Sequence, residues 1–151
     1  KKVRIKFISK IQTIGFMKKI AWKRARTRFA SGMAMALKSG LDMDESLSLS
    51  EKLTDYEPLK MKIQQCQEQM KEGEIFPKAL KEAHIFDGMQ ERLMIIGYET
   101  GAVDEVMEQA ADLYQKQLQD QIQKMIAVLE PTLVGILCVI VGIILLSVML
   151  P

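Results

Sequence analysis

Cysteine and histidine are almost missing from this chain, with two of the first and one of the second among 151 residues. Cys66 lies in a polar, charged stretch and Cys138 in an apolar one. The pair makes no disulfide framework, and a reducing compartment suits it. His84 falls in a turn between helical segments, with no second His or Cys at ligand spacing, and reads as a solvated turn residue rather than a metal ligand. Also missing are a Gly-rich phosphate loop ending in Gly-Lys-Ser/Thr, a nucleophile elbow, and a Cys with a His partner. Carboxylates are plentiful, but their spacing matches solvated helix faces and caps. No catalytic residue, cofactor or metal is expected, and the chain does not read as an enzyme.

Acid is absent from residues 1–28, which hold 11 of the 21 Lys and Arg residues. From Phe29 to Glu130 the balance reverses, with 10 basic against 19 acidic residues and a net charge of −9. The overall charge of +2 therefore conceals a basic arm ahead of an acidic domain. The sequence opens on Lys1, and no basic region followed by an apolar run and a small-residue cleavage site is visible, so it reads as a piece of a longer protein.

The one long apolar run is Thr132 to Leu150, 19 uncharged residues. At about 1.5 Å of rise per residue it nearly covers the roughly 30 Å hydrocarbon core of a bilayer. A buried helix of a soluble protein usually keeps a polar stripe, whereas this segment is apolar all round. The basic arm, with Lys116 and Lys124, places the preceding domain on the cytoplasmic side. Gly135, Cys138 and Gly142 fall at spacings of three and four, a small-residue face suited to helix packing in the membrane. Glu130 and Pro131 mark the point of entry, the proline able to kink the helix and the carboxylate able to stay at the hydrated interface.

The remainder reads as helices punctuated by glycine, an all-α fold. Phe29, Met33, Ala36 and Leu37 share a face of a helix from Ile20 to Lys38, which Ser39-Gly40 ends. Asp42, with Glu45 three residues on, has capping-box spacing for a helix from Met43 to about Leu53. Pro58 starts a third helix through Met61, Cys66 and Met70, ended by Gly73, and Pro77 opens a short fourth with Ala79, Leu80 and Ala83. Asp87-Gly88 introduces a fifth, with Met89, Leu93 and Ile96 facing one way until Gly97 and Gly101 interrupt the pattern. The sixth starts near Val103 with Asp104, Glu105 and Glu108 beside the positive end of its dipole. Its amphipathic spacing runs through Val106, Ala110, Leu113, Gln117, Met125 and Leu129, interrupted by Gln121 and Gln123, and it is expected to continue into the membrane. The architecture expected is a six-helix antiparallel cytoplasmic bundle over 20–130, a basic membrane-proximal segment over 1–19, and a transmembrane helix over 132–150. Gly40, Gly73 and Gly101 would be the left-handed helix ends that a side chain would strain.

Residues 1–19 are less regular. Val3, Ile5 and Phe7 alternate with basic residues, whereas Ile8, Ile11 and Ile14 are three apart. An amphipathic segment along anionic lipid is preferred over a solvated linker or a grip on nucleic acid. Trp22 is either an interface anchor or the first core residue.

Several words in the sequence also have a known order. They run through Ala25-Arg26-Thr27-Arg28-Phe29-Ala30, Leu37-Lys38-Ser39-Gly40-Leu41, Glu45-Ser46-Leu47 and Glu72-Gly73-Glu74 with Ala79-Leu80. Gly97-Tyr98-Glu99-Thr100-Gly101 follows with Val103-Asp104-Glu105, then Ala111-Asp112-Leu113-Tyr114, Leu129-Glu130-Pro131 and Met149-Leu150-Pro151. In that order the chain resembles the inner-membrane platform proteins of type II secretion and type IV pili, the PilC and GspF family.

The resemblance implies the second cytoplasmic domain and final membrane helix of a multi-pass inner-membrane protein. It further implies a non-enzymatic, homo-oligomeric platform for pilus, competence or secretion fibres. The platform would receive motion from a cytoplasmic assembly ATPase and pass it to prepilins or pseudopilins beside other inner-membrane assembly proteins and lipid. Gly40, Gly73, Gly97, Glu99, Gly101, Asp104, Glu130 and Pro131 are the structural or partner-contact candidates. Glu99 is either a polar bridge between helices or a partner contact, the structural role being favoured. The alternative is a tail-anchored adaptor or lipid-binding module that works through its basic arm.

Overall fold

The computed structural model describes residues 2–150, and of Ser9 the backbone alone. Lys1, where the basic arm opens, and Pro151, the last residue of the matched words, lie outside the described residues. Among the described residues there are six helices and no strand. They are α1 (Lys2–Lys38), α2 (Met43–Lys52), α3 (Glu57–Lys71), α4 (Phe76–Glu82), α5 (Gly88–Thr100) and α6 (Val103–Met149). The chain divides into two compact units, one up to Lys116 and one from Gln117 onward.

In the first unit, short turns join successive helices around one core, which suits antiparallel neighbours. Phe29 and Met33 of α1, Leu47 of α2, Leu59 and Ile63 of α3, Leu80 of α4, Met94 of α5 and Met107 of α6 are all buried there. The helix ends follow from residues that satisfy orphan amides and carbonyls. Asp42 accepts from the Glu45 amide at 2.8 Å, capping α2 as its spacing suggested. At the end of α1, Gly40 N–H donates to Leu37 C=O and Leu41 N–H to Ala36 C=O, with Gly40 at φ 91°. Gly73, at φ 103°, closes α3 by the same paired bonds to Met70 and Gln69. At the end of the fourth helix His84 N–H donates to Lys81 C=O, and the left-handed residue is His84 itself at φ 53°, where no glycine signals the turn.

Two expectations of side-chain direction need correction. In α5 the buried positions are Gln90, Met94 and Gly97, while Met89 and Ile96 are exposed. The helix therefore turns about one residue away from the stripe Met89, Leu93 and Ile96, because Gly97 is the position that must approach a neighbour. In α6 the core takes Met107, Ala111 and Tyr114 with Ala110, leaving Leu113 exposed and Val106 half-buried. A large tyrosine on the inner face outweighs the leucine beside it. Cys66, from a stretch that reads as polar, is fully buried, whereas Met61 is exposed.

The first helix is also longer than its spacing suggests. It runs unbroken from Lys2, and all of Val3, Ile5, Phe7, Ile8, Ile11, Ile14 and Met17 are exposed along its first half. Packing begins near Trp22, which sits against the core with its ring centroid 6.2 Å from that of Tyr56, so it belongs to the edge of the core.

The second unit is the remainder of α6. Pro131 lies inside this helix without ending it. Proline removes one backbone donor and crowds the carbonyl four residues back, and the Thr132 hydroxyl donates to Val128 C=O at 2.7 Å. Residues Leu133 to Leu150 expose their apolar side chains throughout, and the helix is long and apolar enough to cross a membrane.

Candidate functional site

The α5–α6 corner is built around a glycine that cannot carry a side chain without displacement. A Cβ on Gly97 would lie 2.7 Å from Val106 Cγ2 and 3.3 Å from the Ala102 carbonyl oxygen. This close approach, rather than an interruption of the helix, is the local role of Gly97. Its carbonyl collects the turn, accepting from Ala102 N–H at 2.7 Å and from the Thr100 hydroxyl at 3.4 Å. Gly101 follows at φ 74°, the left-handed position that reverses the chain into α6 after a two-residue connection.

The turn pushes Tyr98, Glu99 and Thr100 outward. Tyr98 keeps 43% of its surface exposed and Glu99 is exposed with no hydrogen bond or ion pair to any described residue. Asp104, half-buried in the first turn of α6, lies in the field of Lys38, as does Glu105. Lys38 pairs directly with Glu108 and is held above the usual lysine range, chiefly by that hydrogen bond. Around the other side of α5 an open groove of about 570 Å³ is bounded by Ile75, Pro77, Lys78, Lys81, His84 and Ile95. The corner thus offers an aromatic ring and a free carboxylate beside exposed aliphatic groups on a rigid turn. Among the described residues no three His, Cys, Asp or Glu groups are placed to hold a metal ion.

A second constellation holds the unit together. Arg26 belongs to the basic arm, yet its side chain is only 7% exposed. Its guanidinium lies 3.8 Å from the Tyr114 ring centroid and donates to Asp87 Oδ1 at 3.1 Å. Tyr114 Oη in turn accepts from the Asp87 amide at 3.3 Å, and burial raises the phenol above its ordinary range. Asp87 stands at the N-cap of α5, but its carboxylate makes no cap bond because it has turned to Arg26. Charge counting hides this arginine, since ten neighbours of the same sign suggest a solvated arm. The signal that could have found it is Tyr114, a large residue on the inner face that needs a polar partner.

The remaining candidates stand apart from the corner. Gly40 and Gly73 are helix ends with open space around them. Glu130 and Pro131 are exposed on α6, and nothing lies within 4 Å of a Cβ placed on Gly135 or Gly142. Cys138 is exposed on the same segment.

A family model described as Type II secretion system (T2SS), protein F matches residues 29–151. The chain belongs to this family. Among its curated relatives is the Type IV pilus assembly protein PilC of Thermus thermophilus, 27% identical over 85% of this chain and 32% of the relative. The Type 4 fimbrial assembly protein PilC of Pseudomonas putida is 26% identical over 88% of the chain and 33% of its own length. A Type II secretion system protein F of Aeromonas hydrophila is 27% identical over 82% and 32%. The chain spans about a third of the length of these relatives. In this chain the matched residues take in the whole α5–α6 corner, whereas Arg26 lies just ahead of them.

Proposed function

We propose that this chain is the membrane-anchored cytoplasmic part of a non-enzymatic platform for a type IV pilus or type II secretion fibre. In the longer protein it is the second cytoplasmic domain with the last membrane helix, and it couples a cytoplasmic assembly ATPase to the addition of pilin or pseudopilin subunits. The observation that carries this reading is the protein F match over residues 29–151, which takes in both the helical unit and the apolar end of α6. Thr132–Leu150 is the span of the inner membrane, with the acidic unit on the cytoplasmic side.

The α5–α6 corner is the docking point for a partner in the machine. Three features support this: a two-residue turn braced by Gly97, exposed Tyr98, and a Glu99 that no described residue uses. The exposed first half of α1 carries Lys2, Arg4, Lys6 and Lys10 beside its apolar side chains and lies along anionic lipid. A photo-crosslinking amino acid at position 98 of the intact membrane protein tests the docking assignment. Adducts with the assembly ATPase or another protein of the machine are expected. Labelling confined to lipid would refute a protein contact at the corner.

A further inference from the structure

The part of α6 between the first unit and the apolar segment has a pattern that neither packing nor membrane insertion uses. Leu118, Ile122, Met125 and Leu129 are spaced four, three and four apart, the heptad rhythm of a helix–helix seam. At 3.6 residues per turn they lie within about 60° of arc. Ile122, Met125 and Leu129 are 41%, 36% and 56% exposed, so these side chains are left uncovered by the described residues. Asp120, Lys124 and Glu130 all fall on the opposite side of the helix. Flanking the seam are Gln119, Gln121, Ile126 and Val128, none of them charged.

We infer that residues Leu118–Leu129 form a parallel self-association seam, on which the occupant is the same segment of a second copy of this chain. Charge selects that occupant. Flanking charges normally set the choice of a different partner helix, and here there are none. A symmetric contact between identical chains brings like against like, so it tolerates charges only away from the seam, where all three of these lie. The inference rests on reading Thr132–Leu150 as a membrane span. Copies inserted with one orientation are parallel and at one depth, which sets Ile122 against Ile122 and Met125 against Met125. The same rhythm continues through Thr132, Ile136, Val139 and Ile143, with Gly135 and Gly142 each just before an isoleucine of the seam. Glycine at those flanks lets two backbones approach inside the bilayer.

Single-cysteine variants of the full-length protein from position 118 to 129, in native membranes and a Cys138→Ser background, test this directly. Cys66 can remain, because it is buried and its thiol is pushed up to about 12. Mild oxidation should give disulfide-linked homodimers peaking at Ile122→Cys, Met125→Cys and Leu129→Cys. These should exceed Lys124→Cys and Ala127→Cys by about tenfold, since a disulfide needs Cα atoms within about 7 Å. Ile122→Asp should separately shift the solubilised protein towards monomer on native gels, with Lys124→Asp leaving it unchanged. Flat dimer yields, a peak at the outward positions, or adducts to a different polypeptide would overturn the inference. So would an absence of adducts from protein that resists alkaline extraction, which leaves the membrane span itself standing. Release of the protein by alkali would instead overturn the span and, with it, the parallel register.

Discussion

Substituting Gly97 by alanine sets two effects of opposite sign against each other. In an ordinary helix position the change stabilises by about 1 kcal/mol through propensity. Here the new Cβ would stand 2.7 Å from Val106 Cγ2 and 3.4 Å from Val106 Cβ. Valine in a helix has one strongly preferred rotamer, so moving the methyl away brings its own penalty. Overpacking of this kind costs roughly 1–3 kcal/mol. The steric term wins, and Gly97→Ala should destabilise the first unit by about 1 kcal/mol. In a Val106→Ala background the clashing methyl is gone and the closest remaining contact is the Ala102 oxygen at 3.3 Å. The cost of Gly97→Ala should there fall close to zero, giving a coupling energy of at least about 1 kcal/mol between the two positions. Trp22, the one tryptophan, sits at the edge of the first core and reports that unit's unfolding in urea by its fluorescence. A stabilising Gly97→Ala in the native Val106 background would refute the argument from close approach.

The Arg26–Asp87 pair should respond asymmetrically. Asp87→Asn leaves a buried guanidinium without its counter-charge and should cost about 2 kcal/mol. Arg26→Met leaves a carboxylate that is 62% exposed and can rehydrate, so it should cost less; an equal loss in urea titrations would contradict this account. Burial holds the Cys66 thiol up to about 12, so the unfolded chain loses its thiol proton first as the pH rises. That contribution to stability is fully present below the ordinary thiol range and is lost between it and about pH 12. Cys66→Ser should flatten this alkaline limb of the denaturation midpoint, and an unchanged limb would remove Cys66 as its cause. His84→Gly should stabilise by up to about 1 kcal/mol by relieving the left-handed backbone, and a urea midpoint at or below that of the native chain would contradict this.

Features that depend on a local chemical need were legible in the sequence. Gly40, Gly73 and Gly101 end helices in the left-handed region because glycine lacks the Cβ that opposes it, and Asp42 caps α2 because its carboxylate reaches the Glu45 amide. The apolar end of α6 was legible for the same reason, since length and lack of charge suffice. Less legible were features decided by a distant neighbour. The face that α5 buries depends on Val106 meeting Gly97, and neither periodicity nor propensity contains that distance. Arg26 reads as one more cation until Tyr114 and Asp87 are brought to it from 88 and 61 residues along the chain. The first half of α1 reads as an irregular segment because its apolar residues keep no single period, yet nothing in it breaks a helix. At the corner, the glycines and Glu99 stood out as words, but the freedom of the Glu99 carboxylate from any described partner is a property of the fold.

The most direct test of the account is a charge reversal at that carboxylate in cells that assemble the fibre. Glu99 makes no hydrogen bond or ion pair with any described residue, so Glu99→Arg should leave membrane levels of the protein and its Trp22 unfolding midpoint unchanged. Fibre assembly should nevertheless be lost, as counted on the cell surface or by secreted substrate. Normal fibres from a stably inserted Glu99→Arg protein would contradict the assignment of the α5–α6 corner as the docking point.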